Sequence, residues 1–422
     1  MSSLSILGAV AIFAGPIIAA PATQGGWTVN QVANSNFKAN PFSDILRTVQ
    51  KYGGATPVGL AAAVSSGTVV ATPDGSDLDY LCPVNIDGQT VNLDFDTGSS
   101  DLWVFSNEQP VTQTQGHTIY DTTKSSNFQR LNGYTWDIQY GDGSSSSGDV
   151  GLAPVTIGGL TVQKQAVEIA KNVSAQFIQN DNLDGLLGLS FSSLNTVRPQ
   201  QQKTWFDNVR PQLALPLVAA DLKHLQPGSY DFGYLDSKKY VAPIIYTPVQ
   251  LSYRRSTNNV GYYGYWNFSS TSYQIGSKAP VKTTRYGIAD TGTTLLYLDS
   301  DVVSDYYSNV LLAEYVDLLG VYVFPCIDTL PDFSFTPYGS NSKVVVKGKY
   351  INYTNLLNIV SATSFLSPVL DALGPVGVCV GGMQPVPAGL PNIYGDIFLK
   401  SVYTVFESSS SPRLGFAGKP RN

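Results

Sequence analysis

Two acids in matching settings, Asp96 and Asp290, are the residues of this chain best placed to do chemistry. Asp96 stands in Leu93–Val104 (LDFDTGSSDLWV) and Asp290 in Ile288–Leu298 (IADTGTTLLYL). In each, an apolar strand runs into an acid followed by Thr-Gly and a hydroxyl residue. A Gly two positions after a carboxylate permits a tight turn and leaves a backbone N–H free to point at the acid. Gly98 and Gly292 are expected to do this, with Ser99 and Thr293 donating hydroxyls to the outer oxygens. One such loop is an ordinary turn. Two of them, 194 residues apart, imply two carboxylates brought together by a duplicated fold. Carboxylates a few ångströms apart cannot both ionise cheaply, so one pKa rises, the other falls and the pair shares a proton. The ionised member can take a proton from a water between them, while the protonated member hydrogen-bonds a carbonyl under attack. That is hydrolysis with no metal, cofactor or covalent intermediate.

The elements that follow each acid repeat as well. Leu186-Leu187-Gly188-Leu189 comes 92 residues after Asp96, counted to Gly188, and Ile393-Tyr394-Gly395-Asp396 comes 105 after Asp290, counted to Gly395. With these motifs the chain resembles the pepsin-like aspartic proteases, and among them the secreted fungal enzymes of the endothiapepsin and penicillopepsin type. The resemblance covers nearly the whole chain, including Asp184–Phe206 and Gly287–Leu298. It implies an all-β, bilobal fold: two pseudo-symmetric lobes with an active-site cleft between them. It implies that Thr97 and Thr291 tie the two loops together beneath the acids. Gln139–Gly148 (QYGDGSSSSG) lacks the Lys and following helix of a phosphate loop, and resembles the family's flap. Tyr140 would then pack on substrate and hydrogen-bond Trp103, and Gly141 and Asp142 would offer backbone N–H groups to a bound peptide. An Asp at position 142 resembles fungal members that accept Lys on the acyl side of the cleaved bond, besides large apolar residues. Asp94, two residues before Asp96 on one strand face, is expected to line a substrate subsite. Further implications are polypeptide substrates, a monomer and inhibition by pepstatin-like peptides.

Composition agrees with this reading. Only 13% of residues are charged, against about 25% in an average soluble domain, and 25 Tyr accompany 39 Gly and 25 Pro. This is the profile of a β-rich extracellular protein long enough for two domains. A formal charge of −6, with Lys and Arg scattered along the chain, argues against nucleic acid as a partner. His117 and His224 are the only histidines and lie in unrelated contexts, so imidazole-based hydrolysis and His-rich zinc sites have little material.

Residues 1–20 are apolar, end near an Ala-x-Ala at Ala20–Ala22 and are interrupted by Gly15-Pro16: a signal peptide and not a membrane span. Residues 21–68 read as an activation prosegment. Lys38, Arg47 and Lys51 against Asp44 make the stretch net +2 and leave −8 for the rest, a complementary pairing. Phe42–Tyr52 has apolar residues at helical spacing, and Lys51-Tyr52 resembles the pair with which pepsin-type zymogens plug their active site. Ala61–Gly67 would be the processing region, with the mature enzyme starting near Val69. Residues 69–240 are expected to form the amino-terminal lobe with the flap and 241–422 the carboxyl-terminal lobe. The polar end Gly418–Asn422 carries no lipid-anchor signal or membrane tail.

Short strands are expected at Asp79–Ile86, Gln89–Asp94, Tyr134–Tyr140, Gly151–Thr156 and Leu160–Ile169. Helices are expected at Trp205–Val209, Asp301–Ala313 and Tyr353–Ile359. By resemblance Cys326 and Cys379 form the single carboxyl-lobe disulfide, closing a loop 53 residues long, worth about 4 kcal/mol in the chain-entropy model. Cys82 is left as a small buried hydrophobe. Asn172, Asn267 and Asn352 head glycosylation sequons. The reading that follows is a secreted, self-activating acid endopeptidase. A catalytically inactive pepsin-like binding or inhibitor protein is the alternative from another class, weakened by both Asp-Thr-Gly motifs and Tyr140 being intact; a wall-anchored processing protease is disfavoured by the missing tail.

Overall fold

The structure is a computed structural model that describes residues 26–33, 41–52, 80–140, 144–180, 183–253, 261–317, 319–326, 329–355 and 377–420. The signal region, Ala61–Gly67, Val69, Gly141 and Asp142 lie outside the described residues.

Strands form where apolar residues alternate with polar ones. In Gln89–Asp96, Val91, Leu93 and Phe95 are buried, while Asn92 and Asp94 on the other face are half-buried. This strand belongs to an eight-stranded sheet and runs parallel to Gly185–Gly188, with Phe95 opposite Leu187 and Asp96 opposite Gly188. Leu102–Val104 pairs antiparallel with the far side of Gly185–Gly188. The second half repeats the arrangement in a seven-stranded sheet. There Val281–Ala289 runs parallel to Asn392–Tyr394, with Ile288 opposite Ile393, and Leu296–Leu298 pairs antiparallel to the same strand. Each apolar-apolar-Gly segment is thus the strand wedged between the chain entering an acidic loop and the chain leaving it. The closing glycines are set by close approach: a Cβ on Gly188 would lie 2.4 Å from Ser100 Cα, and one on Gly395 2.3 Å from Thr293 O.

A six-stranded sheet joins the halves. Its order is Trp27–Asn30, Gln226–Phe232, Leu217–Lys223, Val402–Glu407, Arg413–Gly418 and Val241–Pro248. Its last strand, Val241–Pro248, begins where the second half is expected to start. Under the second acidic loop Phe268, Phe335, Tyr394, Phe398 and Phe416 pack as one aromatic cluster, with ring centroids 4.8–6.1 Å apart.

The expected helix Trp205–Val209 forms, capped by Thr204 accepting from Asp207 N. Two expected helices do not form as read. Ser300–Tyr307 is helical but stops short of Ala313: Ser308 and Asn309 side chains both donate to Asp305 O, competing with the helical ladder, and Leu312 takes a positive φ of 54°. Asn352–Asn355 is a strand paired with Val378–Gly381, so sheet pairing overrides its helical spacing; residues 356–359 lie outside the described residues. Cys326 and Cys379 form a disulfide, and Cys82 is buried and free, its thiol pushed up by burial and by Asp94. Among the described residues no helix is long and apolar enough to cross a membrane.

The basic stretch near the start of the chain is folded onto this frame. Trp27–Asn30 supplies an edge of the six-stranded sheet. Pro41–Lys51 is a helix whose Asp44, Ile45, Thr48 and Val49 are buried along one stripe. Asp44 accepts from Tyr353 Oη at 2.8 Å, which moors the helix to the carboxyl-terminal half.

Candidate active site

The two acidic loops meet at the floor of the interface between the halves. Thr97 N donates to Thr291 Oγ1 at 3.0 Å and Thr291 N to Thr97 Oγ1 at 2.9 Å. Each hydroxyl in turn donates to the opposite strand, Thr97 to Ala289 O at 3.1 Å and Thr291 to Phe95 O at 2.5 Å. The expected tie beneath the acids is therefore a reciprocal set of four bonds. Gly98 N donates to Asp96 Oδ1 at 2.7 Å and Gly292 N to Asp290 Oδ1 at 3.0 Å. The glycines also do something the turn reading did not anticipate. A Cβ on Gly98 would lie 2.5 Å from Asp290 Oδ1, and one on Gly292 2.3 Å from Asp96 Oδ1. Each loop's glycine makes room for the other loop's acid.

The hydroxyl neighbours differ between the loops. Thr293 Oγ1 donates to Asp290 Oδ2 at 2.5 Å. Ser99 Oγ and Asp96 Oδ2 are both buried without a well-formed hydrogen bond, and Ser99 lowers the Asp96 pKa only as the last of its main causes.

Between the acids lies Lys51. Its Nζ is 3.0 Å from Asp96 Oδ1 and 2.9 Å from Asp290 Oδ2, with the three side chains 7%, 1% and 0% exposed. Tyr52 Oη donates a short hydrogen bond to the same Asp290 Oδ2. Burial opposes the lysine's charge, but the two carboxylates outweigh burial and raise its pKa. The acids split in opposite directions. Burial lifts Asp96 to about 6 in spite of Lys51, and the Asp290 charge adds to the lift. Burial pushes Asp290 up too, yet Lys51 and the bonds from Asp96, Thr293 and Tyr52 hold it at about 2. Lys51 lowers both acids, but only Asp290, which also accepts from Thr293 and Tyr52, ends below its ordinary value; at Asp96 burial and the Asp290 charge outweigh the lysine.

Above the acids, Trp103 Nε1 donates to Tyr140 Oη at 2.8 Å, as expected, and both side chains are buried. Phe177 packs edge-on against both rings. With the lysine in place, what is left of the cleft beside the acids is a cavity of about 50 Å³ whose lining includes Lys51, Asp94, Asp96, Tyr140, Leu186 and Gly292. Asp94 thus faces the cleft, as its strand position predicts. Among the described residues no three His, Cys, Asp or Glu gather as a metal site.

The sequence comparisons match this geometry to known proteins. The family model "Eukaryotic aspartyl protease" matches residues 79–419. This chain belongs to that family. It is 49% identical over 395 residues to aspergillopepsin-1 of Aspergillus fumigatus, covering 93% of this chain and 92% of that protein. It is 44% identical over 416 residues to penicillopepsin-3 of Penicillium janthinellum, covering 98% of each. The crystal structure of the aspartic proteinase from Irpex lacteus superposes with a TM-score of 0.60 at 25% identity, covering 81% of this chain and 94% of that one. The chain is a pepsin-like aspartic endopeptidase with the expected mostly-β bilobal fold.

Several features of this aspartyl protease escaped the sequence reading. Asp101 is buried and accepts from Thr196 N at 2.8 Å, Thr196 Oγ1 at 2.9 Å and Asn195 Nδ2 at 3.1 Å. The same Asn195 amide donates to Glu168 Oε1 at 3.0 Å. Burial, then the neighbouring Asp101, raise the Glu168 carboxyl well above its usual range. These bonds fix the chain leaving the first acidic loop, and only the pairing of Trp103 with Glu168 across two strands brings them together. Of the sequon residues, Asn172 is exposed, whereas Asn267 and Asn352 are half-buried and Asn267 Nδ2 donates to Ser252 Oγ at 2.8 Å.

Proposed function

We propose that the chain is the precursor of a secreted acid endopeptidase in which Asp96 and Asp290 activate a water, and that Lys51 is the plug that keeps it inactive. One observation carries the reading: the Lys51 ammonium sits 3.0 and 2.9 Å from the two carboxylates, where a hydrolytic water has to be. The two acids are already differentiated, Asp290 held ionised near its low pKa and Asp96 raised toward neutrality. Once the lysine leaves, the pair shares one proton, and its titration belongs to the pair. The ionised oxygen takes a proton from the entering water as that water attacks the peptide carbonyl carbon. The protonated acid stabilises the developing oxyanion, and the resulting diol collapses as the amine departs with a proton. The shared proton confines activity to acid pH.

Residues 1–20 are assigned as signal peptide, 21–68 as prosegment, 69–240 and 241–422 as the lobes, with Asn172 the favoured glycan site because its side chain is exposed. Tyr140 closes over substrate with Gly141 and Asp142, and the Asp142 carboxylate favours Lys on the acyl side besides large apolar residues. Release of the prosegment has a definite pH logic. The Lys51–Asp290 contact is present above pH about 4 and lost only as pH falls through about 2. Asp96, raised by burial and by Asp290 but lowered by Lys51, takes up its proton near 6, and that protonation removes one of the two charges holding the lysine. Protonation of the other acids on the −8 remainder weakens its hold on the +2 prosegment in the same direction. Incubating the secreted protein with haemoglobin at acid and neutral pH, with and without pepstatin, tests the reading. It requires digestion at acid pH only, abolished by pepstatin; digestion at neutral pH or resistance to pepstatin would overturn it.

A further inference from the structure

The lysines that look scattered along the chain are gathered by the fold. Eight of the sixteen line one cavity of about 850 Å³ at an end of the six-stranded sheet, far in the chain from the acidic loops. The hairpin joining Leu217–Lys223 to Gln226–Phe232 contributes Lys223, and the segment that follows contributes Lys238 and Lys239. The opposite wall carries Lys343, Lys347 and Lys349, and the floor Lys400 and Lys419. Among the described residues Asp221 is the only acid in the lining.

The carboxylates within reach do not match this charge. Asp221 takes Lys419 on Oδ1 at 3.0 Å and Lys223 on Oδ2 at 3.8 Å, Asp231 Oδ1 takes Lys239 at 2.6 Å and Asp332 Oδ2 takes Lys347 at 3.0 Å. Lys238, Lys343 and Lys349 meet no carboxylate among the described residues: Lys343 bonds the Gln274 amide oxygen, and Lys349 lies 4.8 Å above the Tyr350 ring. All three are exposed at the rim. The crowding is felt at the floor, where burial, and the charges of Lys223 and Lys400, push the Lys419 ammonium down to about 8 against the pull of Asp221. A volume of this size falls within the range of small-ligand cavities, about 300–1,000 Å³, and is too small for a folded partner.

We propose that this cavity binds a compact anion bearing several closely spaced phosphate groups, held by lysines from both halves of the chain. Ammonium groups bind phosphate as point charges. Carboxylates lose their charge near pH 4, whereas each phosphate ester keeps about one charge below its second pKa of about 6. Phosphate is therefore the anion that stays paired with these lysines under acid conditions. The groups can sit on a small ring or in a short anhydride chain, and the chemistry of recognition is the same. Binding would also bridge Lys223 and Lys238 to Lys343 and Lys349, and so cross-link the halves behind the cleft.

The test is calorimetric titration of the full-length chain, carrying Asp96→Asn so that it cannot process itself, at about pH 5 and about 0.1 M salt with myo-inositol hexakisphosphate, tripolyphosphate and inorganic phosphate. One site per chain is expected, with the better polyphosphate bound at least about tenfold more tightly than inorganic phosphate; the ring or chain compound that wins identifies the scaffold. Lys343→Glu with Lys349→Glu should weaken it by about 100-fold, and Lys238→Glu on the facing wall by about tenfold, since each reversal removes one attraction and adds one repulsion. Acid proteolysis by the same lysine variants with Asp96 intact, once processed, should be unchanged. A Lys343→Gln/Lys349→Gln pair, checked for an unaltered thermal midpoint, answers the question if the reversals fail to fold. Absence of saturable binding up to about 1 mM, retention of affinity in the variants, or binding of long polyanions such as heparin or DNA alone would overturn the proposal.

Discussion

Replacing Lys51 with Ala isolates the contact on which latency depends. Lys51, Asp96 and Asp290 are almost wholly buried, so solvent screening discounts their interaction little. The drop of Asp290 from 3.8 to about 2, in which Lys51 is the largest lowering cause ahead of the bonds from Asp96, Thr293 and Tyr52, sets an upper figure of about 2.5 kcal/mol at 1.36 kcal/mol per pH unit. Stranding an unpaired buried charge would cost about 3–5 kcal/mol, but the two acids left behind can share a proton, so the smaller figure applies. A loss of at most about 2.5 kcal/mol raises the population of the undocked prosegment by at most roughly 60-fold. The onset of self-processing should then move toward neutral pH by roughly one to two units. The assay is amino-terminal sequencing and gel analysis of precursor held across a pH series, with circular dichroism confirming that the variant is folded. A folded Lys51→Ala precursor with the wild-type processing profile would refute the plug.

Other substitutions probe the remaining parts of the site. Gly98→Ala places a Cβ 2.5 Å from Asp290 Oδ1 and should separate the acids, lowering kcat/KM about 100-fold in a protein with a wild-type thermal midpoint; full activity would show that the acids tolerate displacement. Tyr140→Phe removes the acceptor of the Trp103 N–H, which should cost about 1 kcal/mol in stability and lower kcat/KM without moving the pH profile; a shifted profile would mean that Tyr140 acts on the dyad itself. Asp142→Thr should reduce cleavage after Lys selectively, and equal losses on Lys and Phe substrates would contradict the carboxylate's role.

How much could be read beforehand follows from how local each feature is. Each Asp-Thr-Gly-hydroxyl loop and its apolar-apolar-Gly partner are runs of a few residues with strict backbone demands, so Asp96, Asp290, Gly188 and Gly395 were legible. Their duplication made the bilobal fold legible too. The helix carrying Lys51 announced itself through Ile45 and Val49, four residues apart on a face that is buried. Features that depend on who sits opposite were not legible. Nothing in a linear reading separates Ser99 from Thr293 as donors, yet only Thr293 makes a well-formed hydrogen bond to its acid. The Glu168–Asn195–Asp101 contacts span 94 residues, and the lysine cavity draws on segments from 223 to 419. The strand at Asn352–Asn355 was misread because its helical spacing is weak and its partner, Val378–Gly381, lies across the disulfide loop.

The central claim is that Asp96 and Asp290 jointly hydrolyse peptide bonds. It is tested most directly by measuring kcat/KM at acid pH for wild type, Asp96→Asn and Asp290→Asn, each freed of its prosegment by an added protease of a different mechanism that is then removed. A neutral amide can neither take a proton from water nor hold the shared proton, so each variant should lose at least about 10⁴-fold while keeping the wild-type fold. Turnover within about tenfold of wild type in either folded variant, with deamidation excluded by mass spectrometry, would contradict the dyad.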